Sequence, residues 1–364
     1  MNDTIIHNKY ALSLDELLCE AVERGASDLH IVAKKPPVIR ISSEMVCTDH
    51  PVINPDEVEG LICSILKPEQ IERLNRDLEL DYSYSLTGVA RFRGNIIYQR
   101  GTLAAAIRIV PFTVPRLENL GLPADIKRLC SLPRGLVLVT GPTGSGKSTT
   151  LAAMLDYINE NFAENIVTVE DPIEFLHTHK KSIVRQREIG IDTHSFGMAL
   201  RQVLRHDPDV IMIGEMRDSE SISIAITAAE TGHLVFSTLH TQTAPLTISR
   251  IVDSFPAGQK EQIRQQLSNS LKAVISQQLI PAASGEGRLA AVEYMIDSPA
   301  VRNLIREEKE HQLYSAIQTG QKLGMQTMDQ ALCNFVRAGK ITYDSALEYC
   351  IDRAELDRLI KTIY

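Results

Sequence analysis

Paired cysteines, long apolar runs and an excess of positive charge are all missing from this 364-residue chain. Its six cysteines, Cys19, Cys47, Cys63, Cys130, Cys333 and Cys350, are scattered, and no two stand at CxxC spacing. That spacing is the signature of zinc sites and dithiol redox centres, so neither is indicated, and reduced thiols suit the cytosol. No stretch approaches the roughly 20 apolar residues that cross a bilayer. Met1 to Tyr10 is polar and lacks the apolar core of a secretion signal. These absences predict a cytoplasmic protein whose membrane contact is peripheral or runs through a partner. The net charge of −8 argues against a nucleic-acid groove along the whole surface and leaves only a local basic patch open. Repeats and low-complexity tracts are also missing. What is present is ordinary globular composition, 44% hydrophobic and 23% charged, at a length that suits two domains.

Up to about residue 110 the pattern is that of a small α+β domain with an antiparallel sheet. Ser13-Leu14-Asp15-Glu16 is a capping box that opens a helix to about Arg24, stopped by Gly25. Strands are expected over Asp28–Val32, Val38–Ser42, Leu80–Leu86, Ala90–Gln99 and Leu103–Ile109, and helices over Asn54–Leu66 and Pro68–Asp77. Pro111, Pro115, Gly121 and Pro123 then crowd one short stretch, so residues 111–123 read as a linker without ordered secondary structure. From 124 to 364 the pattern becomes α/β. After a short helix, Asp125–Cys130, strands are expected over Leu136–Thr140, Ile166–Val169, Ser182–Arg187, Val210–Ile213 and Leu234–Thr238. Helices fall between them, over Thr149–Asn159, Phe196–His206 and Ser219–Thr231, the last with a Ser cap. Such alternation predicts a mostly parallel sheet with helices on both faces. From about Gln259 onward everything reads as helical: Gln259–Leu279, Ala300–Glu308, Tyr314–Thr319, Met328–Ala338, Tyr343–Tyr349 and Ala354–Ile363.

The chemistry is organised around Gly141-Pro142-Thr143-Gly144-Ser145-Gly146-Lys147-Ser148, a phosphate-binding loop pattern. It stands where it must, between an apolar strand and a helix whose Leu151, Met154, Leu155 and Ile158 share one face. Backbone N–H groups and the helix N-terminus, with Thr149 next in line, can then hold a polyphosphate. Lys147 is expected to reach the β- and γ-phosphates of ATP, and the Ser148 hydroxyl to ligate Mg²⁺. The apolar strand before Glu215 ends in Gly214, where most phosphate-loop ATPases place a metal-holding Asp. Glu215 is the candidate for orienting or deprotonating water, against the alternative of a surface Glu after a core strand. Glu170 and Asp171 close another strand. Either can hold Mg²⁺ through water or serve as a second base, and a solvated Asp171-Pro172 turn is the plain alternative. His240 follows the carboxyl end of a third strand and can sense the γ-phosphate. His233, at that strand's start, is a weaker nucleotide contact and better suited to holding a loop. Arg91, Arg93, Arg100 and Arg108 gather on late strands of the first domain, either as a solvated sheet face or as arginine fingers.

Together these stretches resemble the type II/IV secretion ATPases. Gly141–Thr149, Val169–Glu174, Ile213–Asp218 and Ser237–Thr241 stand in the order of that family's Walker A, Asp-box, Walker B and His-box segments. Ala26-Ser27-Asp28-Leu29-His30 is similar to its N-terminal domain. Within the family, Ala300-Val301-Arg302-Asn303-Leu304-Ile305-Arg306-Glu307 is similar to the Ala-Ile-Arg-Asn-Leu-Ile-Arg-Glu motif of the pilus-retraction branch, with valine for one isoleucine. Pro281–Tyr294 also holds none of the cysteines that assembly ATPases usually carry. The resemblance implies a PAS-like N-terminal domain and a RecA-like C-terminal domain in a homohexamer. ATP would lie between the domains, with Arg93, Arg108 and Arg91 approaching it. The partners implied are an inner-membrane pilus platform protein and a paralogous retraction ATPase, with no nucleic acid. The competing readings are a pilus assembly or type II secretion ATPase, a nucleotide-binding ring subunit without turnover, and a nucleic-acid motor. The packing-helix reading of Ala300–Glu307 is also open.

Overall fold

The computed structural model describes residues 12–41, 44–86, 88–110 and 113–361. The chain divides into two units, Met1–Thr113 and Val114–Tyr364.

In the first unit the order is α1 (Leu14–Glu23), β1 (Asp28–Val32), β2 (Val38–Ile41), β3 (Glu44–Cys47), α2 (Pro55–Cys63), α3 (Pro68–Asp77), β4 (Glu79–Leu86), β5 (Ala90–Gln99) and β6 (Thr102–Val110). The Ser13 hydroxyl accepts from the Glu16 N–H at 3.2 Å while Glu16 accepts from the Ser13 N–H, the reciprocal cap read from sequence. The six strands form one antiparallel sheet, ordered β3-β2-β1-β6-β5-β4. Period-2 alternation puts Phe92, Ile96, Leu103, Ala105 and Ile107 on the face that joins Leu14, Leu17, Leu18 and Ile62 in the core. The opposite face is left to Arg93, Arg108 and their neighbours. Strand β3 is additional to the expected elements, and the expected strand end at Ser42 lies outside the described residues.

The second unit runs α4 (Ile126–Leu129), β7 (Gly135–Thr140), α5 (Lys147–Asn161), β8 (Asn165–Glu170), β9 (Ile183–Glu188), α6 (Phe196–Val203), β10 (Val210–Ile213), α7 (Ser219–Thr231), β11 (Leu234–Leu239), α8 (Ala244–Asp253), α9 (Ala257–Ser270), β12 (Leu271–Pro281), β13 (Arg288–Ile296), α10 (Pro299–Arg306), α11 (Leu313–Thr319), α12 (Met328–Arg337), α13 (Tyr343–Tyr349) and α14 (Arg353–Lys361). Seven strands are ordered β13-β12-β7-β11-β10-β8-β9, all parallel except β13. Strand β7 is buried throughout and splits its side chains between two cores. Leu136 and Leu138 face one cluster with α7 and α9, and Val137 and Val139 face the other with α5. Each such side chain contributes roughly 1.5–3 kcal/mol by leaving water. No helix among the described residues is long and apolar enough to cross a membrane.

Four expectations need correction. The helix expected over Gln259–Leu279 ends at Ser270, and Leu271–Pro281 is a strand beside β7. Its apolar run fits either period, and burial on both faces of a sheet decided the outcome. The C-terminal region expected to be helical throughout is therefore split by the β12–β13 hairpin into α9 and the helices after Ile296. A single 3₁₀ turn, Leu117–Leu120, forms within the stretch expected to lack structure, because Leu117 packs into the core beside Ile126 and Leu129. Pro111 and Phe112 lie outside the described residues, as do Met1–Ala11 and the expected helix end at Ile363. The cap of α7 is the Asp218 side chain, which accepts from the Ser221 N–H at 2.8 Å, so Ser219 is the first helical residue rather than the cap.

Glu293 on β13 is fully buried. Its Oε1 accepts the Ala244 N–H at 2.7 Å, at the start of α8. Burial pushes its carboxyl from 4.5 up to about 7, against the Ala244 and Met328 N–H groups, with the Asp329 charge adding to the rise. Between those two values the folded chain keeps a proton that the unfolded chain has lost. Stability is therefore expected to fall as pH rises through this window, by up to roughly 3 kcal/mol from this group alone. Thermal melts between pH 5 and 8 should show a slope that Glu293→Gln flattens; an unchanged slope would contradict the assignment.

Candidate active site

Parallel register brings four strand ends to one edge of the sheet. Thr140 lies opposite Leu239 and Ser276, Ile213 opposite Ser237, and Val169 opposite Ile213. The loops leaving these ends surround a cavity of about 490 Å³. Ligands in open α/β sheets bind at this edge.

The turn from β7 to α5 is shaped by glycines that nothing else can replace. Gly141 (φ 141°) and Gly146 (φ 87°) both lie in the left-handed region. A Cβ at Gly141 would come 2.2 Å from the Gln277 carbonyl oxygen, and one at Gly146 would come 2.8 Å from the Gln277 Nε2. The Ser145 hydroxyl is buried there without a hydrogen-bond partner. A backbone turn opening on a helix N-terminus with an unspent hydroxyl suits an anionic phosphate. Lys147 begins α5, and its Nζ donates to the carbonyls of Gly141 and Pro142 at 2.8 and 3.0 Å. That leaves the third ammonium donor for the cavity. Burial pushes its pKa down, opposed by the charges of Glu215 and Glu174.

Glu215 follows β10. Its Oε2 accepts from Arg217 Nε at 2.9 Å, and its Oε1 lies 3.2 Å from His240 Nε2. Two of the expected site residues thus meet directly. Arg217 also stands 3.8 Å from Asp171. Glu170 is buried, accepting from the Thr168 hydroxyl at 2.6 Å and Gln186 Nε2 at 3.2 Å. Burial nevertheless raises its carboxyl above the usual range, the direction that suits a base working near neutrality. Ser148, one residue into α5, and Glu170, Glu215 and Asp171 all line the cavity. Among the described residues no three acidic, histidine or cysteine side chains are grouped to hold a metal ion by themselves, so Mg²⁺ would fit here only in its usual way, on one or two protein oxygens with substrate phosphates and water.

Gly214 has a structural reason. Its N–H donates to the Val169 carbonyl at 2.8 Å and its carbonyl accepts the Thr238 hydroxyl at 2.6 Å. A Cβ there would lie 3.3 Å from Glu170 Cα and 3.4 Å from the Val169 oxygen. Installing the aspartate common in other phosphate-loop ATPases, Gly214→Asp, is therefore expected to destabilise the unit by roughly 1–3 kcal/mol through overpacking. It should also lower turnover. A melting curve and an ATPase assay on one preparation check both, and a stable, faster enzyme would refute the steric account.

Of the residues singled out from sequence, Thr143, Gly144, Gly146, Lys147, Ser148, Thr149, Glu170, Asp171, Glu215 and His240 line the cavity, and Gly141, Pro142 and Ser145 complete the turn. His233 does not belong. It directly precedes β11, a six-residue strand of about 20 Å, at the end away from the phosphate loop, and its Nδ1 lies 3.0 Å from the Ala228 carbonyl. Nucleotide contact by His233 is thereby corrected to the closure of α7. Arg93 and Arg108 stand cross-strand from each other in the first unit, with Arg91 two residues before Arg93. Arg108 Nε donates to Asp28 at 3.0 Å. Burial works to raise that carboxyl, but Ser27 and Arg108 outweigh it and hold it below its ordinary value. Sequence reasoning missed Arg217, His177, Leu279 and Arg288 as cavity residues. Arg217, two residues from Glu215, was findable. Leu279 and Arg288 were hidden because no hairpin was expected there.

Over residues 7–348 the chain matches the family described as Type II/IV secretion system protein. It is 52% identical to the type IV pilus retraction ATPase PilT of Pseudomonas aeruginosa, over 93% of this chain and 98% of that one. It is also 52% identical to a twitching motility protein of Neisseria gonorrhoeae, over 92% and 90%. A crystal structure of the pilus retraction motor PilT with bound ADP superposes with a TM-score of 0.90 at 49% identity, covering 95% of this chain and 99% of that one. The chain belongs to the type II/IV secretion ATPase family.

Proposed function

We propose that this protein is an ATP-hydrolysing motor that powers retraction of type IV pili. The observation that carries the reading is the meeting of Lys147, Glu215 and His240 around one cavity, in a chain similar along nearly its whole length to a retraction ATPase. The loop N–H groups and Lys147 bind and orient the polyphosphate. Glu215, held by Arg217 and His240, orients the attacking water and takes its proton. Glu170 serves as the second carboxylate. Mg²⁺ held by Ser148 and, through water, by Glu170 or Asp171 would neutralise charge on the phosphates.

The assembly proposed is a homohexamer, supported by the family resemblance. Arg93, Arg108 and Arg91 are the candidates to approach a nucleotide, since Arg93 and Arg108 form an exposed cationic cross-strand pair on the sheet face opposite Phe92 and Ile107. The same resemblance supports a cytoplasmic location at the inner membrane, a platform protein of the pilus machine as partner, and cooperation with a paralogous ATPase. The valine-for-isoleucine version of the retraction motif, exposed at Arg302, Asn303 and Arg306 on α10, supports retraction over assembly. The test is deletion of the gene in its own host together with a Mg²⁺-dependent ATPase assay of the pure protein. Excess, immobile pili are expected. Bald cells would point to an assembly ATPase, and absence of phosphate release to a regulatory subunit.

A further inference from the structure

Strand β12 touches the phosphate loop from the side that no sequence motif marks. Gln277 is 3% exposed. Its Oε1 accepts the hydroxyl of Thr150, in the first turn of α5, at 2.8 Å. Its Nε2 and its own carbonyl oxygen occupy the space that side chains at Gly146 and Gly141 would need. One residue away, the Ser276 and Thr140 hydroxyls pair at 2.8 Å, fixing β12 against the last residue of β7. The two ends of the phosphate loop, Gly141 and Gly146, therefore rest on a single buried residue, one against its backbone carbonyl and the other against its side-chain amide.

We propose that Gln277 is a positioning residue for nucleotide binding, a strut that holds the phosphate loop open through its hydrogen bond to Thr150. The inference rests on the reading of this loop as the ATP site. The loop keeps glycines in left-handed conformations at Gly141, Gly144 and Gly146, each with other conformations available. A loop that reaches its binding shape only part of the time binds more weakly by that fraction. Gln277 contacts neither water nor the γ-phosphate in this role, so its loss acts on binding far more than on chemistry.

Thr150 allows a clean test, because serine keeps the hydroxyl and valine keeps the shape. Full-length Thr150→Val, Thr150→Ser, Gln277→Leu and the Thr150→Val/Gln277→Leu pair would be compared with the parent by ADP calorimetry and steady-state Mg-ATP turnover. Thr150→Val and Gln277→Leu should each weaken ADP binding and raise KM about tenfold, with kcat within threefold. Thr150→Ser should bind within threefold of the parent. The double variant should bind about tenfold, not a hundredfold, more weakly, since both changes remove one bond. If Gln277→Leu does not fold, the valine and serine variants carry the test. Thr150→Val binding like the parent, or Thr150→Ser as weak as Thr150→Val, would overturn the strut. A parent protein that takes up no ADP would instead remove the nucleotide reading itself, and the strut with it.

Discussion

Lys147→Ala is expected to lower kcat/KM for ATP by at least a thousandfold, about 4 kcal/mol of transition-state stabilisation. The ammonium is the cationic side chain that begins α5 at the cavity, where it would meet a phosphate chain whose charge shifts during transfer. Its carbonyl partners, Gly141 and Pro142, belong to the loop itself, so removal also frees the turn that must cradle the phosphates. Both ground-state binding and the transition state should suffer. Calorimetry should show ATP affinity falling with the rate. A variant that still turned over ATP at a tenth of the parent rate would move the phosphate site elsewhere.

Glu215→Gln should separate binding from chemistry. The amide matches the carboxylate in shape and can still accept from Arg217, so nucleotide affinity should stay within a few-fold. It cannot take a proton, and general-base loss typically costs 10²–10⁴ in rate. The expected result is a protein that binds ATP and holds it, with kcat down by that factor and KM little changed. Parent-like turnover would shift the base to Glu170, whose buried carboxyl is already biased toward carrying a proton. Measuring Glu170→Gln alongside decides between the two carboxylates.

Much of the site was legible because it lies in contiguous segments. The glycine loop, Glu215 and His240 each end a strand whose apolar run announces it, and parallel register then brings the ends together. Gly214 could be noticed from sequence, but its reason could not, since the close approach of Glu170 and Val169 exists only once β8 and β10 pair. From sequence His233 reads as standing at a strand's start, better suited to holding a loop, and the structure, with its ring against the Ala228 carbonyl, leaves only the weaker reading as a nucleotide contact to fall. The failure at Gln259–Leu279 has another cause. Leu271-Lys272-Ala273-Val274-Ile275 suits a helix as well as a strand, and the vacancy beside β7 that makes it a strand is a property of the whole sheet. With the strand went Gln277, which backs the phosphate loop, and Leu279 and Arg288, which form one wall of the cavity.

That wall has a mechanical consequence. Gln277 pairs with Val292, and Val292 lies four residues, about 13 Å, from the end of β13 at Ile296. Only Asp297 and Ser298 then separate the hairpin from α10, and Asp297 clamps that junction through Lys272 and Arg302. A displacement of β12 against the phosphate loop would thus be passed along a two-stranded ribbon, through a junction pinned by Asp297, to the helix Pro299–Arg306.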